Sequence, residues 1–420
     1  MSEKSSKKNL FENVIAIGLT QIVTYVIPLV SLPYLSRILG VEKFGLVFWA
    51  QSCIQYFIMI TEYGFNFSAV REISINRDNK EKVSNIFSSV LAVKFILVFV
   101  CFIVLNILIL FIPKFKTEIL LFYLTFFMVI GHVIYPVWYF QGIEHMKYVT
   151  FLKITSQLIF LVLIFLLIKS PKDYQYVAIL NSMGFIISGI LGIFVAKKRF
   201  GLIITYPKIK DIKYQFKNSF EFFIANISNT VYTNTNSFCL GLVANSILVG
   251  YYIAAERIYS AIHMATAPIG IALYPYISKT KNVPLYKKIF YPSCLLILFI
   301  CIFVYIFAKE IIVLFYGSEM LNAYVTLRIF CITVFFSSIS GLIGYPLVAA
   351  MGYSKIVNMS LTIAAAVHII GLGLLYLNNN LNITTIAYLT ILPYVIMFFI
   401  RVLSVVKYKL WNYAEEDKNV

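Results

Sequence analysis

The sequence predicts an all-α polytopic membrane protein of about twelve transmembrane helices, arranged as two pseudo-symmetric six-helix bundles. Three observations predict it. Of 420 residues, 60% are hydrophobic and only 13% are charged, with a mean hydropathy of +0.86, whereas soluble domains carry roughly 25% charged residues. Apolar runs of spanning length recur along the chain, and at ~20 residues per helix the apolar supply is used up at about twelve spans. Two short motifs repeat about half a chain apart. No large soluble domain fits in what remains.

Taken in order, the apolar runs place spans near 10–33, 45–67, 86–112, 119–140, 149–168 and 175–196, then near 219–242, 249–277, 289–308, 321–350, 358–377 and 384–406. Between the sixth and seventh lies the longest charged stretch, with Lys197, Lys198, Arg199, Lys208, Lys210, Lys213 and Lys217. The expected organisation is an N-terminal bundle over 1–200, a basic cytoplasmic linker over 201–217, a C-terminal bundle over 218–410 and a cytoplasmic tail over 411–420. The basic N-terminus, Met1 to Lys8, runs into an apolar segment without a small-x-small cleavage pattern, so the first span is expected to be retained.

With the N-terminus placed inside, twenty-three Lys and Arg residues fall in the cytoplasmic tails and loops and seven on the other side (Arg37, Lys43, Lys114, Lys116, Lys169, Lys172 and Lys309). That asymmetry sets both termini inside. Most of the formal charge of +17 is therefore topology and contact with anionic headgroups, and nucleic acid is not an expected partner. The six cysteines, Cys53, Cys101, Cys239, Cys294, Cys301 and Cys331, lie in apolar runs without metal-like pairing, so neither a disulfide nor a metal site is expected.

The halves resemble each other. Gly45-Leu-Val-Phe-Trp-Ala-Gln51 and Gly250-Tyr-Tyr-Ile-Ala-Ala-Glu256 open the second and eighth spans. Tyr135-Pro136 precedes Gly142, and Tyr345-Pro346 precedes Gly352, by the same spacing at the ends of the fourth and tenth. Matches at corresponding spans point to a parallel duplication, an arrangement in which transporters place the substrate site between the halves.

Span seven is unusually polar. Asn226, Asn229, Thr233 and Asn236 recur on one helical face, and Gln21 and Thr24 occupy corresponding positions in span one. Buried amides need partners, and a stripe of them suits a hydrated cavity or a polar ligand, with interhelical hydrogen bonding as the plainer reading. Ionisable residues within spans are functional suspects by default. Lys94 and Lys153 fall in the cytoplasmic half of the membrane and Arg257 and Arg328 in the outer half, while Glu62 and Glu221 lie near cytoplasmic helix ends and Glu256 deeper. The interior is net cationic, which suits an anionic ligand: arginine holds phosphate oxygens bidentately and lysine supplies a point charge.

Each residue also has a structural reading. Glu62 and Lys94 sit at similar depth on helices joined by a short loop, placing them to pair. Glu256 is placed to reach Arg328, Arg71 reads as a cytoplasmic anchor, and His132, His263 and His368 lack metal-ligand spacing and read as packing or hydrogen-bonding residues. Tyr232, Tyr251, Tyr252 and Tyr259 are candidates for stacking on sugar rings.

Pro33-Tyr-Leu-Ser-Arg37-Ile-Leu-Gly40, then Phe44-Gly45, then Glu62-Tyr-Gly64-Phe-Asn66 with Arg71 following, resembles the N-terminal pattern of Wzx-type O-antigen flippases, in the polysaccharide-transport branch of the MOP exporter superfamily. Glu62 stands where the family more usually has Asp, which leaves the acidic role intact. The resemblance implies a MATE-like, V-shaped pair of bundles around a cationic central cavity. It also implies alternating-access transfer of undecaprenyl-pyrophosphate-linked oligosaccharide from the cytoplasmic to the periplasmic leaflet of the bacterial inner membrane. Its implied partners are that lipid-linked glycan, membrane lipids, a polysaccharide polymerase and a chain-length regulator. No cofactor is expected, and coupling to a proton or sodium gradient is left open. A capsule or teichoic-acid unit flippase shares every feature above. A multidrug exporter needs more membrane carboxylates, and a glycan polymerase or glycosyltransferase needs a catalytic motif such as Asp-x-Asp, which the chain lacks.

Overall fold

The computed structural model describes residues 3–412, with side chains described except at 3–19, 21, 22, 25, 225–233 and 267. Every regular element among the described residues is helical. Among the described residues eight stretches are long and apolar enough to cross a membrane; Ala323–Leu377 runs through two expected spans, and Val26–Asn76 takes in the end of the first and all of the second. Nine of the twelve expected spans are thus matched, and the first in part. The seventh and eighth are the 35-residue helices α9 and α10 described below, each long enough to cross at 1.5 Å per residue. Side chains such as Phe99, Leu110, Leu295 and Phe299 are left exposed on the helix surfaces, as lipid contact requires. The chain is a multi-pass membrane protein.

The chain divides into two compact units, Met1–Phe238 and Cys239–Val420. In the first, α1 (Glu3–Glu62) carries the first two expected spans as two helical halves that break at Gly40, whose φ of 70° and ψ of 170° are not helical. Tyr63 and Gly64, both with positive φ, turn the chain into α2 (Phe65–Asn76). The Asn79 side chain accepts the Lys82 N–H at 3.0 Å and caps α3 (Lys80–Phe111), satisfying one of the free donors of the first turn. A single turn, α4 (Pro113–Thr117), leads to α5 (Ile119–Ile134), which stops at Tyr135-Pro136 because proline cannot return an N–H to the preceding turn. The short α6 (Val137–Gly142), α7 (Met146–Leu167) and α8 (Tyr174–Phe200) complete the set. Its core gathers Phe87, Trp138, Tyr139 and Phe140.

The division between units falls inside α9 (Ile209–Val243), whose first thirty residues belong to the first unit. The second unit continues with α10 (Ser246–Thr280) and α11 (Val283–Ile306), capped by Asn245 and Asn282, and then α12 (Ala308–Tyr316). Helix α13 (Ala323–Ile343) runs on as a π-helical segment, Gly344–Tyr353, before α14 (Ser354–Leu377) and α15 (Ile383–Lys407).

Candidate functional site

The first unit holds a buried charged cluster where α1, α3, α5, α6 and α7 meet. Glu62 is the last residue of α1, presented where the chain turns at Tyr63-Gly64. Lys94 approaches it from the middle of α3, with Nζ 3.2 Å from Glu62 Oε1. The lysine is fully buried and its ammonium lies 5.8 Å from the centre of the Trp138 ring, so the cation is matched by one carboxylate and one aromatic face. Lys153, on α7, lies 5.7 Å from the Phe185 ring, and His132 packs on the same ring at 4.1 Å. Both lysines are near enough to act electrostatically on His132. The structure therefore brings together Lys94, Lys153 and Glu62, three of the expected residues, and adds His132 and Trp138 to them.

Beside this cluster, the first half of α9 packs along α1 and α2. Ser68 and Ser219 hydroxyls are 2.6 Å apart and buried, and Gln215 donates to Glu72 at 2.8 Å. Tyr63 stacks on Phe223 with ring centres 4.6 Å apart. Gly64 has φ of 78°, and a Cβ there would stand 2.6 Å from Phe222 Cβ, so only glycine meets both the left-handed turn and the close approach of α9. Tyr56 and Thr235 hydroxyls, 2.7 Å apart, extend the contact toward the middle of the membrane.

The polar stripe is only partly visible. Asn226, Asn229, Thr233 and Tyr232, with Gln21, lie outside the described side chains. Asn236 is buried, and Thr24 donates back to the Thr20 carbonyl at 2.7 Å, a local bond within its own helix. Arg37 and Arg71 are exposed. A cleft of about 270 Å³ at the loops after α2 and α6 is lined by Arg77, Lys80, Glu144 and His145.

In the second unit, Arg257 is exposed on α10 and Glu256, its neighbour, is half-buried. Arg328 is held by tyrosines: Nε donates to the Tyr305 carbonyl at 3.1 Å, and the guanidinium lies 5.1 Å and 5.2 Å from the Tyr305 and Tyr324 rings. Those contacts occupy it in place of the expected Glu256 pairing. Tyr252 is buried against Phe330, and the Tyr259 hydroxyl donates to Tyr394 at 3.0 Å, while His263 Nδ1 meets Ser337 Oγ at 3.2 Å.

Sequence reasoning passes over Arg401. It lies in the last expected span and is 4% exposed. Among the described residues no carboxylate pairs with it. Its guanidinium donates to Ser340 O at 2.7 Å, Ser340 Oγ at 3.2 Å and Ser360 Oγ at 3.1 Å. The available signal was its presence as a fifth cation within an apolar run.

Comparison with known proteins adds the lineage. The model of the family described as "Polysaccharide biosynthesis protein" matches residues 10–281. The chain belongs to that family. Among its relatives, "Putative O-antigen transporter" of Escherichia coli (strain K12) is 28% identical over 359 residues, covering 84% of this chain and 86% of the relative. A protein of the same name from Shigella dysenteriae is 28% identical over 279 residues, covering 66% and 70%. Among solved structures, the lipid II flippase MurJ in an inward closed conformation superposes with a TM-score of 0.73 at 16% identity, over 96% of this chain and 90% of that one. An inward-facing multidrug resistance MATE transporter of the MOP superfamily gives 0.64 at 13% identity, over 96% and 100%. These structural likenesses place the family member's fold with the MOP transporters.

Proposed function

We propose that this protein is a flippase that carries polyprenyl-pyrophosphate-linked O-antigen oligosaccharide units from the cytoplasmic to the periplasmic leaflet of a bacterial inner membrane. The observation that carries the reading is the likeness to a relative named as an O-antigen transporter along 84% of the chain. The flippase fold neighbour and the excess of cations over carboxylates within the spans support it. A pyrophosphate headgroup carries about two negative charges, and taking them into hydrocarbon unpaired is prohibitive. Lys153 and Arg257 are the cations to receive it, from the cytoplasmic and periplasmic directions respectively, and amides such as Asn236 suit sugar hydroxyls.

In this reading the protein moves its substrate by alternating access and makes or breaks no bond. Glu62, partly exposed beside Lys94, is the carboxylate through which a proton or sodium gradient would act. Both termini and the stretch from Lys197 to Lys217 are cytoplasmic, and a polymerase and chain-length regulator take up the product.

The test is reconstitution. Purified protein in liposomes is given a polyprenyl-pyrophosphate oligosaccharide in one leaflet, and its arrival in the other is read with an impermeant lectin or glycosidase. Transfer faster than in empty liposomes supports the reading. Transfer at the empty-liposome rate, with efflux of organic cations instead, overturns it in favour of a drug exporter.

A further inference from the structure

The two Tyr-Pro sites that match between the halves are built differently. In the first unit, Tyr135-Pro136 simply interrupts the chain between α5 and α6, and α8 packs hard against the interruption. A Cβ at Gly189 would stand 2.9 Å from the Ile134 carbonyl oxygen, and one at Gly192 would stand 2.8 Å from the Pro136 ring. That break is closely packed, with no room for a side chain at either glycine.

In the second unit the chain runs on past the Tyr-Pro site to a kink. Helix α13 gives way at Gly344 to a stretch of π-type winding within Gly344–Tyr353, broken by a kink at Gly352, where φ is 100°. π winding is rare and mostly confined to single turns. Side chains from α15, from α11 and from the residue after α10 hold two carbonyls of the last turn of α13 and one within the π-type stretch. The Ser340 carbonyl, which already accepts the Gly344 N–H, also accepts Arg401 Nη1 at 2.7 Å. Pro346 has no N–H to return to the Leu342 carbonyl four residues back, and the Tyr286 hydroxyl donates there at 3.1 Å. At the far end, Lys281 Nζ donates to the Ala350 carbonyl.

Arg401 is the principal clamp. Its ion is buried against the carbonyl end of α13, where the helix dipole is negative, and this substitutes for a carboxylate. Its Nε also bonds Ser360 on α14 at 3.1 Å, so one side chain ties together the helices before and after the π segment. A Cβ at Gly344 would fall 2.6 Å from Nη1, so the glycine is what admits the guanidinium. Carbonyls satisfied by side chains can exchange partners without dismantling a main-chain ladder, and a π segment can return to α register by shifting one residue.

We propose that span ten pivots at Gly344–Tyr353 during the transport cycle and that Arg401 is the positioning residue that holds the pivot in the setting seen here. The inference rests on the flippase reading for its role in transport, but its structural half is testable without substrate. Amide hydrogen exchange of the full chain in lipid nanodiscs should show residues 340–353 exchanging roughly tenfold or more faster than α13 and α14 on either side. Arg401→Lys keeps the charge and loses the fork, and should raise exchange further within 340–353 alone. Pro346→Ala restores an N–H for the Leu342 carbonyl and should slow exchange there, giving at least wild-type amounts of protein but roughly tenfold less glycan transport per molecule.

Three results would overturn the pivot: exchange over 340–353 as slow as in the flanking helices, Arg401→Lys raising exchange throughout the unit, or Pro346→Ala transporting at the wild-type rate. The second would make Arg401 a general stabiliser. If the wild-type chain moves no glycan at all, the flippase reading fails separately, and the exchange measurements decide the pivot by themselves.

Discussion

Lys94 Nζ lies 3.2 Å from Glu62 Oε1, with the lysine side chain at 0% exposure and the carboxylate at 19%. The pair is therefore asymmetric: the cation is sealed in and the anion has a face open to whatever enters. Removing the acid strands an ammonium, so Glu62→Gln should destabilise the protein by roughly 3–5 kcal/mol. The double change Glu62→Gln with Lys94→Met should recover most of that loss. Thermal unfolding in detergent reads the first effect, and surface polysaccharide in a flippase-null strain, normalised to inserted protein, reads the second. Recovered folding without recovered transport is the expected outcome. Full transport by the double variant would make the pair architectural only.

Ser68 and Ser219, with hydroxyls 2.6 Å apart, offer a lock. If α9 must leave α2 for substrate to enter, Ser68→Cys with Ser219→Cys should crosslink under oxidation and stop transport, and reductant should restore it. Efficient crosslinking with undiminished transport would show that this contact stays closed throughout the cycle. Gly64→Ala should disrupt the same contact from the other direction, because the left-handed turn and the 2.6 Å approach to Phe222 both exclude a methyl group. Its expected signature, in the Ser68→Cys with Ser219→Cys background, is loss of the disulfide under the same oxidant.

His145 lies in the loop between α6 and α7, its ring 4.9 Å from Phe200. Burial holds its pKa below the usual histidine value of 6.5, Lys147 lowers it further, and Glu144 opposes the shift. A lowered folded-state pKa means the unfolded loop takes up a proton first, so the contribution to local stability is complete above pH 6.5 and is lost as pH falls through the folded value. Amide exchange over 140–148, corrected for the intrinsic pH dependence, should therefore quicken on acidification from pH 7 to 5. His145→Gln should flatten that change. A wild-type profile as flat as the variant's would remove the histidine from the explanation.

How much of this was legible in the sequence follows from what each feature is made of. Spans are written in hydropathy, so their order along the chain could be read, and the Glu62–Lys94 pairing followed from two charges at similar depth on neighbouring helices. That the first two spans meet at a one-residue break, Gly40, was not legible, because such a break and a short loop have the same composition. Arg401 was missed because its partners are a carbonyl and two serine hydroxyls, which carry no charge pattern to search for. Arg328 was assigned an acidic partner for the converse reason: the tyrosine faces that hold it are too common in this chain to single out. The polar stripe of α9 was easy to see, but only Asn236 among its four main members has a described side chain to compare with the expectation.

The contrast between Arg328 and Arg257 gives the last prediction. Both are expected in the outer half of the membrane and look equivalent as sequence, yet Arg328 is half-buried against the Tyr305 carbonyl and two rings, while the Arg257 side chain is exposed on α10. Arg328→Ala should cost about 1–2 kcal/mol through the lost cation–π contacts and bond, lowering the amount of folded protein while leaving transport per molecule near wild type. Arg257→Ala should do the reverse, inserting normally and transporting at least roughly tenfold less. Arg257→Lys should rescue only part of that activity, since a point charge does not replace two parallel hydrogen bonds to a pyrophosphate. Transport in liposomes, scored per inserted molecule, separates the two. Wild-type transport by Arg257→Ala would take this residue out of the substrate route and leave Lys153 as the remaining cation to examine.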